Sequence, residues 1–136
     1  MLGPREVFEN FQRSALSGDL GFIEDRHAED VVVEFPFARP GMPRRIEGRA
    51  EFAAFAKAGR AALQIRFEDF RNVVIHETAD PELIIAEYEM VATGPDGRRH
   101  SAPFVMVLKV SGGQVVLCRE YQNPLALENA LGTGKE

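Results

Sequence analysis

The sequence has little polar aromatic content and almost no cysteine: among 136 residues there is one cysteine, no tryptophan and two tyrosines. A single cysteine cannot form a disulfide within the chain. Cys118 lies in an apolar segment, where a buried and unreactive thiol is expected. Ten phenylalanines supply most of the aromatic side chains. The interior is therefore expected to be apolar and to offer few polar groups.

Positive charge and long apolar runs are also lacking. The net charge of −5 and the isoelectric point near 5.3 argue against nucleic acid or an anionic membrane surface as a partner. No segment approaches the roughly 20 apolar residues that span a bilayer. Arg5 and Glu6 carry charge where a signal peptide needs an apolar run, so a cytoplasmic location is expected. Neither metal-ligand spacing nor a phosphate-binding loop is present, and we expect no metal and no cofactor.

The pattern of apolar residues predicts one α+β domain that covers residues 1–136. Helical spacing is followed by period-two alternation, and Gly and Pro turns separate the later strands. Short connections between consecutive strands favour antiparallel pairing, with the helices covering one face of a bent sheet. Helices are predicted over 4–17, 19–26, 48–62 and 124–132, strands over 31–37, 63–77, 83–93, 99–110 and 114–123, and a loop over 38–46.

Five short segments carry a family resemblance, in this order along the chain: Val33–Pro36, Ile46–Arg49, Glu77–Pro81, Ala86–Tyr88 and Arg119–Pro124. With them the chain resembles the SnoaL-like branch of the nuclear transport factor-2-like superfamily. That superfamily also contains ketosteroid isomerases, limonene epoxide hydrolase and the phenazine-biosynthesis proteins. The resemblance implies a cone-shaped, curved mixed β-sheet around N-terminal helices, with a pocket at its wide end. It also implies a homodimer formed through the convex sheet face.

Glu120 interrupts an apolar strand, where an ionised carboxylate is costly to bury. Either it faces water beside Arg119, or it projects into a sheltered cavity. Strand alternation places Cys118 and Gln122 on the same face as Glu120. The resemblance implies that the Glu120 side chain projects into the cavity and that it takes part in proton transfer.

Glu87 and Glu89 share one face of their strand. The resemblance matches Glu89 to a second catalytic acid. If Glu87 and Glu89 converge with Glu120, clustered carboxylates raise at least one pKa, as a general acid requires near neutral pH. Alternatively, Glu87 and Glu89 form a solvated face, or pair with Arg49 or Arg66. The candidate catalytic residues are Glu120, Glu89 and Glu87, and the candidate substrate-binding residues are Glu34, Phe35, Phe37, Met42, Val105 and Gln122.

Three histidines remain. His100 is predicted near the pocket mouth as a candidate ligand contact, His76 at the surface, and His27 as a cap for the second helix.

The chain departs from each known mechanism of the superfamily. Phe35 occupies the position of the ketosteroid isomerase base, and the oxyanion-hole acid falls near Val105. The arginine of the epoxide hydrolase is replaced by Glu87, and the histidine of the phenazine proteins by Arg49. Steroid isomerisation and epoxide hydrolysis are therefore disfavoured.

The expected function is acid–base catalysis without a cofactor on a small hydrophobic or aromatic metabolite. The reaction would be an isomerisation, a cyclisation or a dehydration. The alternative is a non-catalytic ligand-binding or dimerisation module of the same fold.

Overall fold

The protein folds as three helices against one six-stranded sheet, as described by a computed structural model for residues 1–126. No helix in this range is long and apolar enough to cross a membrane. In chain order the elements are α1 (Pro4–Ser17), α2 (Gly21–Arg26), β1 (His27–Glu34), β2 (Arg45–Glu47), α3 (Arg49–Leu63), β3 (Arg66–Glu77), β4 (Leu83–Thr93), β5 (Arg99–Ser111) and β6 (Gln114–Gln122).

The sheet is mixed, with the strand order β2-β1-β6-β5-β4-β3. Strands β3 to β6 form an antiparallel meander, because short turns connect each strand to the next. Strand β1 pairs with β6 in parallel and with β2 in the antiparallel sense. The predicted α+β class, with a mixed sheet and N-terminal helices, is confirmed.

Helix α1 begins and ends where the sequence indicates. Pro4 occupies its first turn, where a missing N–H costs nothing. The Glu6 carboxylate accepts a hydrogen bond from the Gly3 amide (3.0 Å) and satisfies one of the free N–H groups at this end. Gly18 ends the helix in the left-handed conformation, with φ of 79°, which a residue without a Cβ adopts readily.

The largest difference from the predicted elements concerns the first strand, which runs over His27–Glu34 rather than 31–37. It ends early because Pro36 has no N–H to donate, and the Ala38 amide instead closes a turn onto the Phe35 carbonyl (3.1 Å). The predicted loop over 38–46 overlaps β2, a three-residue strand too short for its pattern to show. The predicted last helix starts at Pro124, but most of it lies outside the described residues.

The hydrophobic core lies between α1 and the inner face of the sheet. Tyr88 of β4 stacks on Phe104 of β5, with ring centroids 5.6 Å apart and planes 5° from parallel. Phe8 of α1 is fully buried and lies 5.5 Å from the Tyr88 ring. Aromatic contacts of this kind add to the free energy gained by burying the rings. They fix the distance between α1 and the sheet.

We predict that Phe8→Ala lowers the free energy of unfolding by about 3–5 kcal/mol, because truncation leaves a cavity beside Tyr88. Urea unfolding monitored by circular dichroism measures this loss. Glu9→Ala is the matched control, since Glu9 is the next residue of α1 and is exposed. It should change stability by no more than about 0.5 kcal/mol. Equal effects of the two substitutions would contradict the packing described here.

Candidate active site

A cavity of about 380 Å³ lies between the inner face of the sheet and the helices. This volume falls within the range of small-molecule sites. Its wall is mostly apolar, and eight of the ten phenylalanines contribute to it. The titratable or charged side chains that line it within residues 1–126 are His27, Arg39, Arg60, His100, Cys118 and Glu120.

Glu120 lies on the inner face of β6, opposite Met106 of β5. Its side chain keeps some solvent exposure because it faces the cavity. The surrounding protein nevertheless removes the carboxyl from bulk water, and this desolvation raises the pKa of Glu120 from 4.5 to about 7. No residue from 1 to 126 donates a hydrogen bond to the carboxylate, so no bond of that kind counters the effect of burial.

The two titratable groups whose pKa responds to the charge of Glu120 are themselves neutral at pH 7. Burial, and secondarily the charge of Glu120, raises the pKa of Tyr88 well above its usual value. The same two causes raise the pKa of the Cys118 thiol. The Tyr88 hydroxyl is buried and has no hydrogen-bond partner within residues 1–126. Near neutral pH, Glu120 is therefore the group of this cluster that gains or loses a proton.

Glu87 and Glu89 do not join Glu120, and the expectation that they converge with it is wrong. Tyr88 and Met90 face inward from β4, so the two glutamates face the outer side of the sheet. Glu87 contacts the His76 imidazole there. The Glu89 carboxylate accepts a hydrogen bond from the Asn72 amide group (3.0 Å). The solvated face is the alternative that the structure supports. Pairing with Arg49 or Arg66 is not observed, because Arg49 bonds to the His27 carbonyl and Arg66 lies beside Glu68.

Two predicted substrate-binding residues, Glu34 and Val105, also lie outside the cavity lining. Glu34 faces outward from β1 and forms ion pairs with Arg119 (3.0 Å) and Arg45 (3.2 Å). Val105 pairs with Glu87 across β4 and β5 and shares its outer face. The inward neighbours of Val105 are Phe104 and Met106, and neither side chain can donate a hydrogen bond to an oxyanion.

The other predicted contacts do line the cavity: Phe35, Phe37, Met42, Gln122 and His100. Phe37 and Met42 are 57% and 42% exposed, which places them at the rim. Phe37 also packs against Tyr121, with ring centroids 5.5 Å apart. His100 lies near Asp96, with His100 Nε2 and Asp96 Oδ2 3.5 Å apart.

His27 is the cavity residue that the sequence reasoning missed. As predicted, it caps α2, because its backbone N–H bonds to the Ile23 carbonyl. Its ring, however, lines the cavity and is 3% exposed. Burial lowers the pKa of His27 to about 4, so the imidazole is neutral at pH 7. Alternation from Val31 and Val33 does not reach position 27, because Glu29 and Asp30 are both exposed and the pairing of β1 with β6 shifts register between His27 and Val32.

The sequence matches the SnoaL-like domain over residues 5–118. The chain belongs to the SnoaL-like family. It is 36% identical over 134 residues to an uncharacterized PhzA/B-like protein of Pseudomonas aeruginosa, covering 96% of this chain and 92% of that protein. It is 30% identical over 131 residues to the uncharacterized protein YesE of Bacillus subtilis, covering 93% and 86% of the two chains.

Solved structures of the same fold extend the comparison. A crystal structure from Bacillus subtilis, named only provisionally as an isomerase, superposes with a TM-score of 0.87 at 27% identity, covering 96% of this chain and 94% of that one. The Δ5-3-ketosteroid isomerase of a Mycobacterium species superposes with a TM-score of 0.71 at 23% identity, covering 89% and 93%. The second comparison shows the shared fold. The SnoaL-like chain thus has isomerase-type neighbours in structure.

We predict that the difference in unfolding free energy between Glu120→Gln and the wild-type SnoaL-like chain shifts in favour of the variant as the pH rises. Between about pH 4.5 and 7 the folded state keeps a proton that the unfolded chain has lost, so wild-type stability falls with rising pH in that window. The substitution removes this titration. The difference in unfolding free energy should grow by up to about 3 kcal/mol across the window and stay constant above it.

Urea unfolding of both proteins at pH 5, 6, 7 and 8 measures the difference. Glu89→Gln is the matched control, because Glu89 is a strand glutamate on the opposite face of the sheet. A difference for Glu89→Gln that grows with pH as much as that of Glu120→Gln would show that the effect does not arise in the cavity. A pH-independent difference for Glu120→Gln would mean that the Glu120 carboxyl is solvated.

Proposed function

We propose that this SnoaL-like protein catalyses proton transfer on a small hydrophobic or aromatic molecule, without a cofactor, through Glu120. The observation that carries the proposal is the position of this carboxyl in a mostly apolar cavity, where desolvation raises its pKa to about 7. A general acid or base works best when its pKa is near the ambient pH. Near neutrality both protonation states of Glu120 are populated.

The apolar wall supports an aromatic or alicyclic ligand. Phe35 and Phe55 present a pair of rings with centroids 5.7 Å apart, and both line the cavity. Rings of this kind bind flat apolar molecules by contact and exclude water from the reacting atoms. Exclusion of water also keeps the Glu120 carboxyl desolvated, so a bound ligand helps to maintain the raised pKa of this group.

Glu120 is the one carboxylate among residues 1–126 that lines the cavity. A single group suits a reaction in which the same residue removes a proton from carbon and returns it at another position. Isomerisation and ring closure through an enol or enolate are of this type. A dehydration needs a separate base and acid, and no second carboxylate lines the cavity within residues 1–126. This supports the isomerase or cyclase chemistry over the dehydratase chemistry.

We expect the protein to catalyse exchange of the α-protons of 2-tetralone, an enolisable bicyclic ketone, in D₂O. The ionised form of Glu120 is the base, so the rate should rise with pH and level off above a midpoint near 7. Proton NMR follows the loss of the α-proton signal. Glu120→Gln should lower the catalysed rate by about 100-fold or more, since general base catalysis contributes at least that much.

Glu89→Gln should keep the rate within about twofold of wild type. Saturation-transfer NMR with each variant shows whether the ketone still binds. Loss of exchange with binding retained assigns the chemistry to Glu120. Binding by wild type without exchange above the buffer rate, for 2-tetralone and for other enolisable bicyclic ketones, would contradict catalysis and favour the ligand-binding module.

We also propose that a second copy of the chain covers the outer face of the sheet. All three helices pack on the inner face, through rings such as Phe8, Phe22 and Phe55. The outer face keeps apolar side chains between its ion pairs, and Val74 is 48% exposed there. A face of this composition suits association with a like surface around a twofold axis.

Sedimentation velocity at 50 µM should show a dimer. Val105→Lys should shift it toward monomer, because the new charge lies at the centre of this face and its partner Glu87 can pair with it within the monomer. Glu51→Gln on the exposed start of α3 is the control and should remain dimeric. A monomeric wild type would overturn the proposal.

A further inference from the structure

Gln122 is a polar side chain that lines the cavity beside Glu120. It pairs with Phe104 of β5, whereas Glu120 pairs with Met106, and both of these partners line the cavity. Glu120 and Gln122 are two residues apart on β6, so their side chains point to the same face of the sheet. This face is the inner one, and the carboxyl and the amide are therefore neighbours along one wall of the cavity.

The Gln122 amide is open to the cavity and is not used by the described protein. Within residues 1–126 neither its nitrogen nor its oxygen forms a hydrogen bond, whereas the neighbouring Asn123 side chain accepts one from the Leu125 amide (3.0 Å). No atom of Gln122 is among the enclosed and unbonded polar atoms of this range, which belong to His27, Arg39 and Tyr88. An amide that is neither bonded nor enclosed is accessible, and the space beside it is the cavity.

The spacing of Glu120 and Gln122 matches an enolisable carbonyl group. Two residues along a strand correspond to roughly 7 Å between Cα atoms. The α-hydrogen and the oxygen of a ketone are carried by neighbouring carbons. A base that contacts the α-carbon and a donor that contacts the oxygen, each at about 3 Å, are separated by a similar distance. One ketone can therefore reach both side chains from within the cavity.

Other neutral donors near this end of the cavity are enclosed, weak or distant. The Tyr88 hydroxyl is buried and is not accessible to a ligand. The Cys118 thiol is a weak donor. His100 precedes Phe104 by four residues on β5, which corresponds to roughly 14 Å from the level of Gln122. The amide is therefore the neutral donor that is best placed beside Glu120.

The arginines of the cavity wall do not serve the same position. Arg39 and Arg60 line the cavity. A cation beside the Glu120 carboxyl would lower its pKa, yet burial is the cause that shifts this pKa and neither arginine contributes. Both guanidinium groups therefore lie away from the carboxyl. A neutral amide provides a donor at this place without a charge that would ionise Glu120 at lower pH.

We propose that Gln122 is a catalytic residue that donates a hydrogen bond to the carbonyl oxygen of an enolisable substrate while Glu120 removes the neighbouring α-proton. The C–H bond breaks, its proton passes to the Glu120 carboxylate, and its electron pair moves toward the oxygen to form an enolate. The amide N–H stabilises the developing negative charge and keeps its own proton. Return of the proton from Glu120 to carbon re-forms the carbonyl. The inference rests on the proposed function and commits its substrate to carbonyl compounds.

Gln122→Met tests this role, because it removes the donor and keeps the length of the side chain. With 2-tetralone in D₂O, the exchange rate at saturation should fall about 100-fold, the usual effect of losing one such donor. The affinity for the ketone, measured by saturation-transfer NMR, should fall less than about 10-fold, because a hydrogen bond to the uncharged carbonyl contributes little. The midpoint near pH 7 should remain, since Glu120 still supplies the base.

Gln114→Met is the matched control, because Gln114 is the other glutamine of β6 and does not line the cavity. Its exchange rate should stay within about twofold of wild type. If Gln122→Met exchanges as fast as wild type while Glu120→Gln does not, Gln122 is not the donor and the proposed function stands. If wild type binds the ketone without catalysed exchange, the proposed function fails and the catalytic role of Gln122 fails with it.

The carbonyl stretch of bound 2-tetralone reports the hydrogen bond without catalysis. Isotope-edited infrared spectra of the ketone with ¹³C at the carbonyl are recorded at pH 8.5, where Glu120 is ionised and cannot donate. The frequency should be lower in wild type than in Gln122→Met, and Gln114→Met should match wild type. The frequency in wild type should also lie below that of the ketone in cyclohexane, a comparison that needs no variant.

Equal frequencies in wild type and Gln122→Met would overturn the hydrogen bond even where exchange is catalysed. A frequency shift that depends on Gln122, without catalysed exchange, would leave carbonyl binding and refute catalysis. A wild type that binds neither 2-tetralone nor other enolisable bicyclic ketones would overturn both proposals.

Discussion

The enclosure of one carboxyl by apolar protein is the constraint on which the site depends. Side chains alternate along β6, so a strand that contributes Cys118 to the core must also turn Glu120 inward. The free energy lost by desolvating the carboxylate is the same quantity that moves its pKa to about 7. Stability at neutral pH and competence for proton transfer are thus set against each other at one residue.

The sequence allowed the meander and the first three helices to be predicted, because these follow from local periodicity and turn residues. The residues left the orientation of Glu120 on β6 open, and only the family resemblance implied that it faces inward. The face of β4 was a different case. Its apolar positions, Tyr88 and Met90, already indicated that Glu87 and Glu89 point outward. The resemblance to two-acid enzymes suggested the reverse, and the burial of apolar side chains decides the orientation. For the orientation of β4, the pattern of apolar residues therefore predicts the structure better than the family resemblance does.

The remaining features could not be predicted because they depend on pairing between distant segments. The parallel contact of β1 with β6 decides that His27 begins a strand and lines the cavity. Nothing in the residues around position 27 encodes that contact. The same holds for β2, whose three residues form a strand only because β1 provides an edge. Val105 was misplaced by a single position, which in a strand reverses the face.

The pairing of β1 with β6 also affects how the chain can fold during its synthesis. Glu34 and Arg119 bind each other across 85 positions of the chain, and until β6 has been synthesised the long edge of β1 has no partner on that side. Closing so distant a contact is slow relative to forming hairpins. A nascent or truncated chain that stops before β6 would expose an apolar strand edge, which other chains can pair with. The wall that contains Glu120 therefore cannot close before β6 has been made, and a chain without β6 leaves that edge of β1 unpaired.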